Sequence, residues 1–197
     1  MSLKKAIVLI ILVLLIDQIS KIYIKTHFTL YDGIDVFSWF KIYFIENEGM
    51  AWGAKIPGKF GKLALTLFRL VAIVGIGYWL WDSVRKKTSK VLIVAIALIF
   101  AGAFGNIIDS VFYGIIFNDS MGQVASLMPA EGGYGTLFHG KVVDMFSFSF
   151  FDPVFNVADA AISVGVGLLI LFNKRAFPKK KETKDSEISQ NLSEEAL

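Results

Sequence analysis

Asp17 and Lys21 stand four residues apart, Asn106 and Asp109 three apart, and Asn156 and Asp159 three apart, each set within or at the end of a long apolar run. Residues at those spacings share one face of a helix, so each set would present its polar groups together. Lys141 and Asp144 lie just before the last apolar run, and Glu46, Asn47 and Glu48 close an aromatic-rich stretch. An ionised side chain at membrane depth costs about 3 kcal/mol even on lenient insertion scales, so such groups face the bundle interior with a partner or a task. Asp17 with Lys21 reads as an ion pair, and Asn106 and Asn156 as hydrogen bonds between helices. Asp144 and Asp159 have no cationic partner at helical spacing. Lys141, three residues before Asp144, would serve only if that stretch were helical.

Other chemistries drop out. The chain's two histidines, His27 and His139, fall in loops, and no G-x-S-x-G elbow accompanies them. No H-E-x-x-H is present, and Gly102–Gly105 is followed by no G-K-[ST]. The absence of cysteine removes disulfides, thiolate metal sites, cysteine nucleophiles and lipid attachment to cysteine. Carboxylates remain. Two aspartates close together share a proton, so that one serves as base towards a water and the other as acid. A proton or cation path is the other use of carboxylates in a helical bundle.

These groups must be positioned by membrane helices. Of the 197 residues 55% are hydrophobic, the mean hydropathy is +0.60, and the formal charge is only +3, so a nucleic-acid partner is not expected. Four runs, at about residues 6–24, 63–81, 91–108 and 154–172, suit helices of some 20 residues that cross the hydrocarbon. Lys4 and Lys5, then Arg85, Lys86, Lys87 and Lys90, then Lys174, Arg175 and the lysines beyond them, fall on one face of four crossings. That places both termini in the cytoplasm. It also gathers the polar groups of all four helices near the outer face. Lys4 and Lys5 before Ala6–Ile16 imitate a signal peptide, but no small-x-small cleavage site follows, so a retained helix is expected. The integral membrane domain is expected over 1–178, with outer loops at 25–62 and 109–153. Residues 179–197 read as a disordered, charged cytoplasmic tail.

Five segments then line up in order: Asp17-Gln18-Ile19-Ser20-Lys21, Asn47-Glu48-Gly49-Met50-Ala51-Trp52-Gly53, Gly105-Asn106-Ile107-Ile108-Asp109, Val142-Val143-Asp144 and Phe155-Asn156-Val157-Ala158-Asp159. Together they resemble the D-Q-x-x-K, N-x-G-x-A-[FW], G-N-x-x-D, V-V-D and F-N-x-A-D blocks of bacterial lipoprotein signal peptidase, or signal peptidase II, over about residues 5–175. The resemblance implies an aspartic endopeptidase of the bacterial inner membrane. It would cut signal peptides from diacylglyceryl-modified prolipoproteins, before the lipidated cysteine, with no metal or cofactor. Asp144 and Asp159 would be the catalytic pair. Asn47, Gly49, Asn106 and Asn156 would position substrate or the aspartates, and Asp17, Lys21 and Asp109 would hold the site together. The implied fold is an all-α membrane protein of four transmembrane helices with a small β-like extracytoplasmic cradle. Phe37–Glu46 and Met145–Phe151 suit the cradle by composition, and their aromatics suit the lipid headgroup level.

The chain departs from that pattern twice. Ser110 stands where the family's block continues with arginine, and serine cannot replace a bidentate donor; Lys141 and Arg69 are the candidates to do so. The connection from Asp109 to Asp144 is also long, and its extra piece, about residues 113–140, is expected to be a lid or a partner-docking loop in the outer region. The rival from another class is a small proton-coupled transporter, but the repeats and midplane clustering typical of transporters are missing from the sequence. A purely structural scaffold would leave Asp144 and Asp159 unexplained.

Overall fold

A computed structural model describes residues 1–48 and 59–178. Helix α1 (Leu3–His27) contains no glycine or proline, and its first turn is closed by Ser2, whose hydroxyl accepts from the Lys5 amide at 3.4 Å. Helix α2 spans Lys59–Arg85. Helix α3 (Lys90–Ile108) is capped by Ser89, which accepts from the Leu92 amide at 3.1 Å. It runs on through a π-helical turn, Asp109–Tyr113, into a single α turn, α4 (Gly114–Ile116).

Among the described residues three helical stretches are long and apolar enough to cross a membrane: Leu3–His27, Gly61–Arg85 and Lys90–Ile116. The run expected to form a fourth span is helical only in part. Val154 and Phe155 belong to a strand, and Asn156 caps α5 (Val157–Leu171), which at 15 residues falls short of the roughly 20 that a perpendicular crossing needs. A four-residue helix, α6 (Asn173–Ala176), follows it.

Four strands form one antiparallel sheet in the order β1 (Gly33–Phe37), β2 (Phe40–Asn47), β3 (Val142–Phe148) and β4 (Phe151–Phe155). The two aromatic runs expected to suit the cradle, Phe37–Glu46 and Met145–Phe151, are each crossed by a tight turn, at Ser38-Trp39 and Ser149-Phe150. The Ser149 amide donates to the Trp39 carbonyl at 3.1 Å, which joins the two turns. Register sets Ile45 opposite Asp144, Glu46 opposite Val143 and Asn47 opposite Val142. Two segments distant in sequence are thereby fixed side by side.

Helix α3 is the hub, packed on α1, α2 and α5. Its approach to α5 is close enough that a Cβ on Gly102 would lie 2.2 Å from the Ala158 carbonyl oxygen. Small residues permit such contact between membrane helices, where van der Waals packing replaces the hydrophobic effect as the driving force. One apolar cluster, including Ala6, Ile10, Ile93, Ile96, Ala97 and Ala101, fills the end of the bundle far from the sheet. A second, including Ile24, Phe44, Tyr113, Phe117, Val143 and Met145, lies under the sheet. Along α1 the buried stripe runs Ala6, Ile10, Asp17, Lys21, Ile24, so a polar layer is held between the two apolar ones.

Residues 113–140, expected as a lid or docking loop, are packed against this framework. The returning chain pairs with the π-helical turn and the residue after α4: Tyr134 N donates to Phe117 O (2.8 Å), Phe138 N to Val111 O (3.0 Å) and Gly140 N to Ser110 O (2.9 Å). Gly140 is required there, since a Cβ would sit 2.0 Å from the Asp109 carbonyl oxygen. Phe117, Ser120 and Ala125 are buried.

Candidate active site

Lys21 is the centre of the polar layer. Its Nζ lies 2.9 Å from Asp17 Oδ2, 2.9 Å from Asp109 Oδ2 and 2.9 Å from Asn106 Oδ1, and all three ionised side chains are essentially inaccessible to solvent. Each carboxylate reaches further. Asp17 Oδ1 accepts from the backbone amide of Ala158 at 2.9 Å, so a carboxylate on α1 satisfies an orphan donor at the N-terminus of α5. Asp109 accepts from Gln18 Nε2 at 2.9 Å and from the Val143 amide at 3.3 Å, which fastens α3 to both α1 and β3. The π-helical turn begins at Asp109, a feature often found at functional sites.

The asparagines extend this layer to the two aspartates with no helical cation. Asn106 Nδ2 donates to Asp159 Oδ1 at 2.8 Å. Asn156 does two things: its Oδ1 caps α5 by accepting from the Asp159 amide at 2.9 Å, and its Nδ2 donates to Asp144 Oδ1 at 2.6 Å. Asn47 Nδ2, from the paired strand, donates to Asp144 Oδ2 at 3.2 Å. Both Asp144 oxygens are thus held by amides. Asp144, Asp159, Asn47, Asn106, Arg69 and Phe155 line a common cavity of about 590 Å³. Burial first, and then the neighbouring Asp159 carboxylate, push the Asp144 carboxyl up to about 7, against the opposing pull of Asn47, Lys21 and Asn156.

Arg69 of α2 also faces this cavity, and its charge acts on Asp159, Asp109 and Asp144. Its Nη1 donates to Ser110 Oγ at 3.3 Å, so the serine that stands in the family's arginine position has a guanidinium from another helix beside it. Lys141 does not pair with Asp144. The stretch after it is strand, not helix, and its Nζ lies 3.0 Å from Glu46 Oε2. Gly49 lies outside the described residues. Among the described residues no three acidic or histidine side chains converge as a metal site.

The sequence does not show the roles of four participants. Gln18, which bridges Asp17 and Asp109 and accepts from the Tyr113 hydroxyl at 3.2 Å, was only a letter in a motif. From the sequence Arg69 is only a candidate for the missing arginine at Ser110. Lys25, at the start of the expected outer loop 25–62, belongs to α1; it continues the Asp17–Lys21 spacing by one more turn, which is the signal for its place on the buried face. Glu46, which it meets, was noted without a partner.

Comparison with known proteins agrees with the resemblance. The family described as signal peptidase (SPase) II matches residues 9–174. A lipoprotein signal peptidase of Porphyromonas gingivalis is 45% identical over 183 residues, covering 83% of this chain and 80% of its own. One from Amoebophilus asiaticus is 31% identical over 188 residues, covering 84% and 75%. A solved bacterial membrane enzyme superposes with a TM-score of 0.64 at 28% identity, covering 92% of this chain and 95% of that one.

Proposed function

The chain belongs to the signal peptidase II family, a family of aspartic peptidases, and on that premise we propose that it cuts signal peptides from diacylglyceryl-modified prolipoproteins, before the lipidated cysteine, using Asp144 and Asp159. The observation that carries this reading is the convergence of the two aspartates on one cavity, each held by asparagine amides.

A water held between the carboxyls attacks the scissile carbonyl carbon. One carboxylate takes the water's proton as the new C–O bond forms, and the carboxylic acid of the pair protonates the carbonyl oxygen. Collapse of the resulting diol breaks the C–N bond: the proton held by the pair passes to the leaving amine, and a diol hydroxyl returns one proton to the pair as it becomes the new carbonyl oxygen. The pair enters with one proton between the two groups, and the raised affinity of Asp144 keeps that proton in place near neutral pH. Asn47, Asn106 and Asn156 fix the carboxyl planes. Asp17, Lys21 and Asp109 hold the helices that carry them, and Arg69 offers its guanidinium to the substrate carbonyl or to the carboxylates.

The membrane geometry follows the same reading. With α5 and α6 completing a fourth crossing, both termini lie in the cytoplasm and the sheet lies at the outer interface. A lipidated substrate stays in the bilayer there while its peptide bond reaches water. The test is cleavage by the purified protein in detergent of a diacylglyceryl-modified prolipoprotein beside the same protein unlipidated, with the product mass read by mass spectrometry and a chelator present. Cleavage of only the lipidated form, before its cysteine and undiminished by the chelator, is expected. Equal cutting of both forms, or loss of activity with the chelator, contradicts the reading.

A further inference from the structure

Behind the strand that carries Asn47 lies a second buried ionic cluster, which the mechanism above does not use. Lys25 Nζ is fully buried, forms an ion pair with Glu46 Oε1 and donates to Ser120 Oγ at 2.8 Å. It also lies 5.4 Å from the ring centre of Phe117 and 5.0 Å from that of Tyr134, within reach of cation–π attraction. Glu46 is bound from two more sides, by Ser120 Oγ at 3.2 Å and Lys141 Nζ at 3.0 Å. Burial alone would raise the Glu46 carboxyl, but the Lys25 and Lys141 ammonium groups outweigh it and hold it below the usual carboxylate range. Tyr134 adds a further tie, its hydroxyl accepting from the Lys141 amide at 2.6 Å. Phe117, Ser120 and Tyr134 all belong to the 113–140 segment.

None of these groups lines the cavity. Their position on the sheet gives them a route to it. Side chains alternate across a strand, so Glu46 is gripped on one face while Asn47, the next residue, presents its amide to Asp144 on the other. Lys141 immediately precedes β3, two residues before the partner of Glu46 and three before Asp144. A single carboxylate therefore clamps the end of β2 to the beginning of β3.

We propose that Glu46 is a positioning residue for the reaction, which holds Asn47 against Asp144, and that the 113–140 segment acts in cis as the brace that completes its setting through Ser120, Phe117 and Tyr134. This role rests on Asp144 being one of the catalytic pair. The charged groups that act on Asp144 are Asp159 from α5, Lys21 from α1 and Arg69 from α2, and a change at Glu46 leaves all three in place.

The test compares wild type with Glu46→Gln, Ser120→Ala and Asn47→Ala in cleavage of the lipidated prolipoprotein, recording kcat, KM and the pH dependence of kcat/KM, with thermal unfolding to establish the fold. Loosening the Asn47 bond removes a hydrogen bond that favours the charged Asp144. Glu46→Gln is therefore expected to lower kcat by about tenfold with little change in KM, and to move the alkaline limb upward by about half a pH unit. Ser120→Ala gives a smaller change of the same kind. Asn47→Ala moves the limb the same way, and adding Glu46→Gln to it moves the limb no further, because both act through one bond. Should Glu46→Gln leave Lys25 uncompensated and fail to fold, Lys25→Met with Glu46→Gln removes the orphaned charge and carries the same expectation. A folded variant with wild-type kcat and an unmoved limb overturns the positioning role, as does failure of all these variants to fold, which makes the cluster purely structural. Failure of the wild type to cut the lipidated substrate instead overturns the reading of the site, and the positioning role with it.

Discussion

Replacing Lys21 by methionine keeps most of the side-chain volume and removes the charge that two carboxylates share. In the structure the ammonium is enclosed by Asp17 Oδ2, Asp109 Oδ2 and Asn106 Oδ1, each at 2.9 Å, with no solvent to take its place. Removing one partner of a buried ion pair costs about 3–5 kcal/mol, since the remaining charge stays desolvated and uncompensated. Here one cation serves two anions, so the upper part of that range is expected. For a chain of this size each kcal/mol moves the unfolding midpoint by about 2–4 °C, so the midpoint should fall by roughly 10 °C or more. The assay is thermal unfolding of the detergent-solubilised protein followed by tryptophan fluorescence. In an Asp17→Asn background the same substitution should cost clearly less, because one orphaned carboxylate is already gone, and the difference is the coupling energy. A loss below about 1 kcal/mol, or an equal loss in both backgrounds, refutes the claim that these three charges form one buried unit.

Other consequences can be checked in the same preparation. Asp144 binds its proton more tightly folded than unfolded. Its contribution to stability is therefore complete below its ordinary value and lost as pH rises through about 7; the unfolding midpoint should fall across that window in wild type but not in Asp144→Asn. Gly102→Ala places a methyl group 2.2 Å from the Ala158 carbonyl oxygen and should force α3 and α5 apart at a cost of about 1–3 kcal/mol, read as a lowered unfolding midpoint with impaired cleavage. Because the chain has no cysteine, a single introduced thiol reports topology cleanly. Met121→Cys should react with a membrane-impermeant maleimide in spheroplasts, and Lys86→Cys only after permeabilisation; the reverse pattern contradicts the proposed orientation.

Much of the site was legible because it is written in local spacing. Asp17 with Lys21, Asn106 with Asp109, and Asn156 with Asp159 share faces by helical geometry, and their polarity inside apolar runs marks them as inward-facing. The sheet was half legible: composition marked the aromatic runs as extended, but the hairpin turns at Ser38-Trp39 and Ser149-Phe150 contain neither glycine nor proline, and a single serine is only a weak turn signal. Long-range register was not legible. Nothing near Glu46 announces Lys25 or Lys141 as its partners, since those contacts depend on β2 pairing with β3 and on α1 passing behind the sheet. The 113–140 segment reads as a loop because its backbone partners lie in the π-helical turn and at Phe117, outside any local pattern, and nothing in the sequence places Gly140 against the Asp109 carbonyl.

The central claim is that Asp144 and Asp159 together cleave the peptide. The most direct measurement is the rate of lipidated prolipoprotein cleavage by wild type, Asp144→Asn and Asp159→Asn, each confirmed folded by its unfolding transition. Either substitution alone should abolish cleavage, the double variant being no worse than the singles, because neither carboxyl can share a proton without the other. A folded single variant that retains wild-type turnover would contradict it.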